Sequence, residues 1–307
     1  MSDWVQIGSD IDGEKTGDWS GWSVALNSAG SRVAVGAIFW NDTGSASTRV
    51  YEYINSVWTQ IGGDIDSTVD GDFDGWAVSL NSAGDRLAVG APCYTPDIKT
   101  GRVRIYEYVD SAWSQMGASI PGETDWDRGG YAVALNDTGS RVVIGEGNNN
   151  NRIFEWNSTS WAQLGSTIAH GSSSGGRSVS MSEDGSIIAI GNKYNDSGGD
   201  NSGYTRIFQY SGSDWVQLGS NIVGECSSDY SGMSVSLNSA GTRVAIGAKH
   251  NDGGGSNSGH ARIYDYSGSA WTQVGSDIDG AAEGDELGFS VSLNSDGSRV
   301  AIGADGT

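Results

Sequence analysis

Short runs in which apolar residues alternate with small ones recur along the whole chain, always in the same order. The phrase W-x-Q-φ-G, with φ apolar, begins at Trp4, Trp58, Trp113, Trp161, Trp215 and Trp271, so its copies lie 48 to 56 residues apart. Each copy continues with a G-x-[SA]-V-[SA] phrase, a polar turn, an R-V-A-φ-G-A phrase, a loop, and an R-φ-[YF]-x-[YW] phrase. In the first copy these are Gly21-Trp22-Ser23-Val24-Ala25-Leu26, Arg32-Val33-Ala34-Val35-Gly36-Ala37 and Arg49-Val50-Tyr51-Glu52-Tyr53. Period-two alternation of β-branched and aromatic residues over five to seven positions predicts strands. Trp22, Val24 and Leu26 fall on one face of such a strand, with Ser23 and Ala25 on the other. Neither face carries charge, so both are expected to be buried, a bulky face nesting against a small one.

Between the first two phrases stand turns such as Asn27-Ser28-Ala29-Gly30-Ser31 and Asn294-Ser295-Asp296-Gly297-Ser298. Glycine there supplies a positive φ, which predicts antiparallel hairpins. Units of about 50 residues with four short strands, repeated radially, make a β-propeller. The predicted fold is all-β, a single β-propeller domain over residues 1–307 with repeats starting near 4, 58, 113, 161, 215 and 271. Five blades are complete. The sixth has its first two strands at residues 288–304 and is expected to take its outer strand from residues 4–8, closing a six-bladed ring.

Composition narrows the function. Glycine supplies 48 of 307 residues and proline only 3, which excludes collagen and disfavours helical bundles. There are 38 acids against 17 bases, a net charge of −21. That balance repels nucleic acid and anionic lipid, so neither is an expected partner. No apolar run reaches a membrane span, so membrane insertion is not expected, and Met1-Ser2-Asp3-Trp4 begins no signal peptide. Cys93 and Cys226 match no zinc spacing and read as buried or half-buried thiols.

The phrases Gly288-Phe289-Ser290-Val291 and Val300-Ala301-Ile302-Gly303-Ala304, with the literal Gly90-Ala91-Pro92, resemble the FG-GAP repeat of integrin-α-type propellers, and the W-x-Q-φ-G arrays are similar to those of marine surface proteins. The resemblance covers essentially the whole chain. It implies an extracellular or cell-surface protein that binds rather than catalyses. The family's D-x-D-x-D-G calcium cage between its first two strands is replaced here by the short Asn-Ser-x-Gly-Ser turn, so calcium is not expected at that position.

Most of the acids fall in the connections that would share one rim. Asp10 and Asp12 lie in one loop, Asp70, Asp72 and Asp74 in the next, and Asp277 and Asp279 in the last. The run Asp70-Gly71-Asp72-Phe73-Asp74-Gly75 matches the start of a calcium loop, and hard cations take six to eight oxygen ligands. These seven are the candidate Ca²⁺ ligands; a merely solvated acidic rim is the alternative. Trp19, Trp40, Phe73, Trp126, Tyr194, Tyr204 and Tyr230 crowd the same rim beside Asp42, Asp196 and Asp252. Exposed rings next to carboxylates suit carbohydrate, while Asn-Asp-x-Gly is also good turn chemistry. The repeated tryptophans are assigned to packing between blades, and the periodic arginines, Arg32 and Arg49 and their equivalents, to structural ion pairs.

Nothing in the chain points to a catalytic set. His170, His250 and His260 show no metal-ligand spacing, and Gly171-Ser172-Ser173-Ser174-Gly175 fits a nucleophile motif without the strand-to-helix elbow that the motif requires. The expected function is therefore a non-enzymatic binding or adhesion module for carbohydrate or a protein partner, assisted by Ca²⁺ if the acidic loops bind it. A glycan hydrolase or lyase using rim carboxylates, and a structural cell-surface repeat protein, are the competing readings.

Overall fold

A computed structural model describes residues 5–38, 46–69, 71–93, 100–147, 150–169 and 177–306, and among them every regular element is a strand. The chain divides into two compact units, residues 1–130 with 158–161, and residues 131–157 with 162–307.

In the first unit, Ser20–Leu26, Arg32–Ala37, Ser47–Ile54 and Val57–Gln60 pair in that order as an antiparallel sheet, and Ile65–Asp66 adds to the start of the third strand. Ala77–Leu80, Arg86–Ala91 and Arg102–Val109 repeat the arrangement, with Ala112–Gln115 and Ile120–Pro121 both on the third strand. The second unit holds Ala132–Leu135, Arg141–Gly145, Asn150–Trp156 and Ile168–Ala169, with Trp161–Gln163 on the divide. Two further five-stranded sheets follow, starting at Ser178–Met181 and Ser234–Leu237, and then a two-stranded pair, Ser290–Leu293 with Val300–Gly303. The short fifth strand is a refinement on the four expected. The glycine of W-x-Q-φ-G turns left-handed (Gly62, φ 70°) and interrupts the fourth strand, which then rejoins the ladder two residues later.

Small faces nest against bulky ones as the alternation predicts. Ala34 and Val50 of the first sheet pack on Leu80, Leu87, Val89 and Tyr106 of the second. Ala189 and Ile207 meet Val235, Leu237, Val244 and Ile246 in the same way, and Val143 and Ile153 meet Ile188, Ile190 and Phe208. The close approach depends on glycine. Serine on the first strand donates to the carbonyl of the next repeat's G-x-S-V glycine, as in Ser23 Oγ to Gly75 O (2.7 Å), Ser178 to Gly232 (2.8 Å) and Ser234 to Gly288 (2.9 Å).

The tryptophans do more than fill space. The indole of each one donates to the φ carbonyl of the preceding W-x-Q-φ-G phrase: Trp58 to Ile7 (3.0 Å), Trp113 to Ile61 (3.0 Å), Trp215 to Leu164 (2.8 Å) and Trp271 to Leu218 (2.8 Å). The hairpin asparagine folds its own turn, Asn27 Oδ1 accepting from the amides of Ser31 and Arg32 at 2.9 and 2.8 Å. Arg32 then bridges Glu52 (2.8 Å) and the Gly84 carbonyl of the next hairpin (3.1 Å), and Arg243 does the same with Asp265 and Gly297. These arginines are structural, as expected.

The chain's first phrase behaves differently. Its described residues 5–7 form no strand and are exposed, and among the described residues Val300–Gly303 pairs with Ser290–Leu293. Val24 and Leu26, expected in a core, are 64% and 61% exposed, whereas Leu80 and Leu135 at the repeat position of Leu26 are each 8% exposed. Cys226 is likewise exposed rather than half-buried, while Cys93 is buried, and neither forms a disulfide.

Candidate functional site

Several of the loops that enter a first strand are built around a buried carboxylate. Asp18 accepts from the amides of Glu14, Lys15 and Ser20, and Asp229 from those of Glu225 and Cys226. Asp127 takes the Thr124 amide and hydroxyl. A carboxylate that accepts several backbone amides is already satisfied and holds its loop shut. Most acids expected to cage Ca²⁺ are consumed in this and related ways. Asp72 and Asp74 are 1% and 0% exposed and pair with Arg102 and Arg104, which rise from the third strand. They are therefore buried ion-pair partners and not open ligands. Asp10 accepts from the Gln6 side chain (2.7 Å), the same W-x-Q contact that Gln60 makes to Asp64 and Gln273 to Asp277. Asp12 and Asp279 are exposed, the latter opposite His260 in the strand ladder. Asp70, Trp40 and Asp42 lie outside the described residues.

Burial pushes the Asp74 carboxyl up to about 7 against the pull of Arg104 and Arg102, and its Oδ1 has no hydrogen-bond partner. An ordinary aspartate ionises near 3.9. The folded chain thus keeps a proton that the unfolded chain gives up above about pH 4. This contribution is complete below pH 4 and is lost as pH rises through 7. Asp74→Asn, which mimics the protonated group, is expected to flatten the fall in melting temperature between pH 4 and 7. An unchanged slope in thermal melts across that range contradicts the assignment.

The aromatic residues sort into two sets. Tyr204 is 4% exposed in the third strand of its sheet, with Arg206 over its ring at 5.4 Å, so it belongs to the interior and not to a binding rim. Asp196 and Asp252 cap their own turns, accepting from the amides of Asn201 and Asn257 (2.8 Å each), which is turn chemistry. Trp126 stands 47% exposed on the loop entering the third repeat.

The rest converge through a local device. Two residues before the G-x-S-V glycine, a non-glycine residue takes left-handed φ: Trp19 (51°), Phe73 (57°), Arg128 (54°), Tyr230 (57°) and Glu286 (54°). A tight turn closes after it, as in Trp22 N to Trp19 O (3.1 Å), Trp76 N to Phe73 O (3.0 Å) and Met233 N to Tyr230 O (3.0 Å). The turn sets the left-handed residue beside the x of G-x-S-V. In the first unit this yields an aromatic stripe, with Trp19–Trp22, Trp22–Trp76 and Phe73–Trp76 ring centroids at 5.7, 4.8 and 6.1 Å.

In the second unit the x position of the fourth repeat carries a cation, Arg177, and Lys193 from just past the end of the second strand joins it. Arg177 lies over the rings of Tyr131 (4.7 Å) and Tyr194 (5.1 Å) and donates to the Tyr131 hydroxyl at 3.0 Å. Lys193 stands 5.0 Å from the Tyr194 ring centroid and 5.9 Å from that of Tyr230, with its ammonium 3.3 Å from the Met233 sulfur. Tyr230 touches Tyr194 and His250, with centroids at 5.7 and 4.8 Å. Lys249 pairs with Glu286. Neither Arg177 nor Lys193 pairs with a carboxylate among the described residues, although the chain carries 38 acids. Burial, followed by the nearby Arg177 and Lys249 charges, lowers the Lys193 ammonium to about 8.

Tyr194 and Tyr230 are thus brought together as the sequence suggested. Arg177 and Lys193 between them were missed. The available signal was the x of G-x-S-V, which varies as Trp22, Trp76, Tyr131, Arg177, Met233 and Phe289 while its neighbours stay constant. A separate groove of about 620 Å³ beside the hairpins is lined by turn residues such as Asn136 and Asp184, whose side chains are already engaged in the turns.

No protein-family model and no curated protein matches this chain. Among solved structures it is similar to Kuenenia stuttgartiensis hydrazine synthase, with a TM-score of 0.60, 14% identity, and coverage of 98% of this chain and 77% of that one. It is also similar to a putative 6-phosphogluconolactonase from Bacteroides fragilis, with a TM-score of 0.61, 11% identity, and coverage of 92% and 76%. At such identities the likeness is one of fold. Both bear the names of enzymes.

Proposed function

We propose that this chain is a non-enzymatic binding module on a β-propeller scaffold, its six repeats serving as blades, and that its ligand is an acidic carbohydrate. One observation carries the reading: Arg177 and Lys193 are held among Tyr131, Tyr194 and Tyr230 without a counter-carboxylate among the described residues, in a chain of net charge −21. Half-buried cations without a counterion are costly unless something supplies the missing charge. A uronic acid residue supplies a carboxylate to the cations and an apolar ring face to the tyrosines. The overall negative charge opposes such a ligand only at long range. At physiological salt the screening length is about 8 Å, which damps that repulsion more than it damps a contact pair. An extracellular or cell-surface setting, as the FG-GAP resemblance implies, suits a ligand of this kind.

Calorimetric titration with an oligouronate and with a neutral oligosaccharide of equal length tests the proposal. The oligouronate is expected to bind preferentially. Arg177→Met and Lys193→Met are each expected to weaken it by about 10- to 100-fold, the worth of one charge-assisted hydrogen bond of ~1.5–3 kcal/mol. Both variants should fold, because Met233 occupies the repeat position of Arg177 and the apolar Ile38 that of Lys193. Equal affinity for both sugars, or none for either, overturns the reading.

A second reading draws on the Lys193 ammonium, which titrates near 8. A base close to neutrality beside an arginine that neutralises a carboxylate is the equipment for removing the proton α to that carboxylate, as a uronate lyase does. The two enzymes of similar fold leave room for it. Appearance of an unsaturated, ultraviolet-absorbing product, abolished in Lys193→Met, replaces binding by elimination; its absence keeps the binding module.

A further inference from the structure

His260 opens the third strand of the fifth repeat, 1% exposed, and neither ring nitrogen has a hydrogen-bond partner. A neutral imidazole carries one donor and one acceptor, and leaving both unmet in the interior is unfavourable. Its surroundings are not apolar. Asp277 Oδ2 lies 3.5 Å from Nδ1, and one ligand atom from each of Glu225, His260 and Asp277 falls within 4.8 Å of the others. Arg262 holds Glu225 from the far side at 3.2 Å and is itself tied to the Val223 carbonyl at 3.0 Å.

We infer that Glu225, His260 and Asp277 form a binding site for a borderline divalent transition ion of the Zn²⁺ or Co²⁺ class. The 3.5 Å separation between nitrogen and oxygen matches the edge of a tetrahedron with metal–ligand bonds of ~2.1 Å, which is about 3.4 Å. One imidazole with two carboxylates is a donor set that selects Zn²⁺ or Co²⁺ over Ca²⁺, which takes oxygen ligands alone. Water completes the coordination on the side where Glu225 is exposed.

The first repeat provides an internal comparison. Glu14, Ser47 and Asp64 occupy the positions of Glu225, His260 and Asp277 there, and line a cavity of about 260 Å³ beside Arg49. Its acids are the same and its imidazole is missing. The fifth-repeat site thus rests on one residue that the repeat does not require.

Titration of the full chain with Co²⁺, followed by visible d–d absorption, and with Zn²⁺ by calorimetry tests the inference. One site per chain is expected, with Ca²⁺ unable to compete at equal concentration. His260→Ser installs the residue that the first repeat already tolerates and should fold. It is expected to weaken Zn²⁺ by more than 100-fold, since even groups behind a ligand are worth 10- to 100-fold. Ser47→His is expected to create a second Co²⁺ site. No binding by the native chain, undiminished binding by His260→Ser, or displacement by equimolar Ca²⁺ each overturns the site.

Discussion

Gly191→Ala is expected to lower the melting temperature sharply, by about 6 °C or more, while Gly303→Ala leaves it within a degree or two. Both glycines end the second strand of their repeats. A methyl group on Gly191 would be driven into the backbone carbonyl of Gly232, which is held in place by the hydrogen bond from Ser178. Neither backbone can yield without parting two sheets whose core contains Ala189, Ile246 and Val244. Overpacking of this kind costs on the order of 3 kcal/mol, and ~1 kcal/mol moves the melting point of a domain this size by about 2–4 °C. At Gly303 the nearest atom is the Ser290 hydroxyl, which can rotate away, and the nearest backbone carbonyl, that of Ser290, stands at an ordinary contact distance of 3.9 Å. Equal destabilisation of the two variants in calorimetric melts would mean that strand propensity, not contact between repeats, decides the effect.

Glu146→Ala should be comparably severe. Glu146 is fully buried and grips the Arg152 guanidinium through two contacts, 2.7 Å to Nε and 2.5 Å to a terminal nitrogen. Truncating the acid strands a 5%-exposed arginine without its counterion. Breaking a buried pair from one side costs about 3–5 kcal/mol, whereas replacing both partners by apolar groups can be neutral. The double variant Glu146→Leu with Arg152→Leu is therefore expected to recover most of the loss. Chemical denaturation of the three proteins checks this, and a double variant as unstable as the single one rules out the explanation.

The strands were legible because each repeated phrase shows a side-chain period of two, and six copies multiply a weak signal. Asparagine and glycine marked the hairpins for the same reason. The acidic loops were misread because ion-pair partners are not adjacent in sequence. Arg102 and Arg104 stand 30 residues beyond Asp72 and Asp74 and reach them only once the third strand is laid beside the loop. A run of aspartates looks identical whether its oxygens face arginines or a cation. Tyr204 was misplaced because the third strand was read from Arg206, whereas it begins two residues earlier, at Tyr204 itself. Arg177 and Lys193 escaped notice because the search of that rim was for acids and rings. Their importance lies in lacking a carboxylate partner among the described residues, a property that no linear spacing reveals.

The left-handed residues at Trp19, Phe73, Arg128, Tyr230 and Glu286 separate shape from identity. Such a backbone conformation is uncommon for a residue with a side chain, and five different residues adopt it at one repeat position, before a glycine that is also left-handed. The turn is therefore imposed by the flanking strands and not by the residue that sits in it. Five chemistries are displayed from one backbone mould. The specificity of such a surface can be rewritten blade by blade, by chance in evolution or on purpose in a library, with no change to the scaffold that presents it.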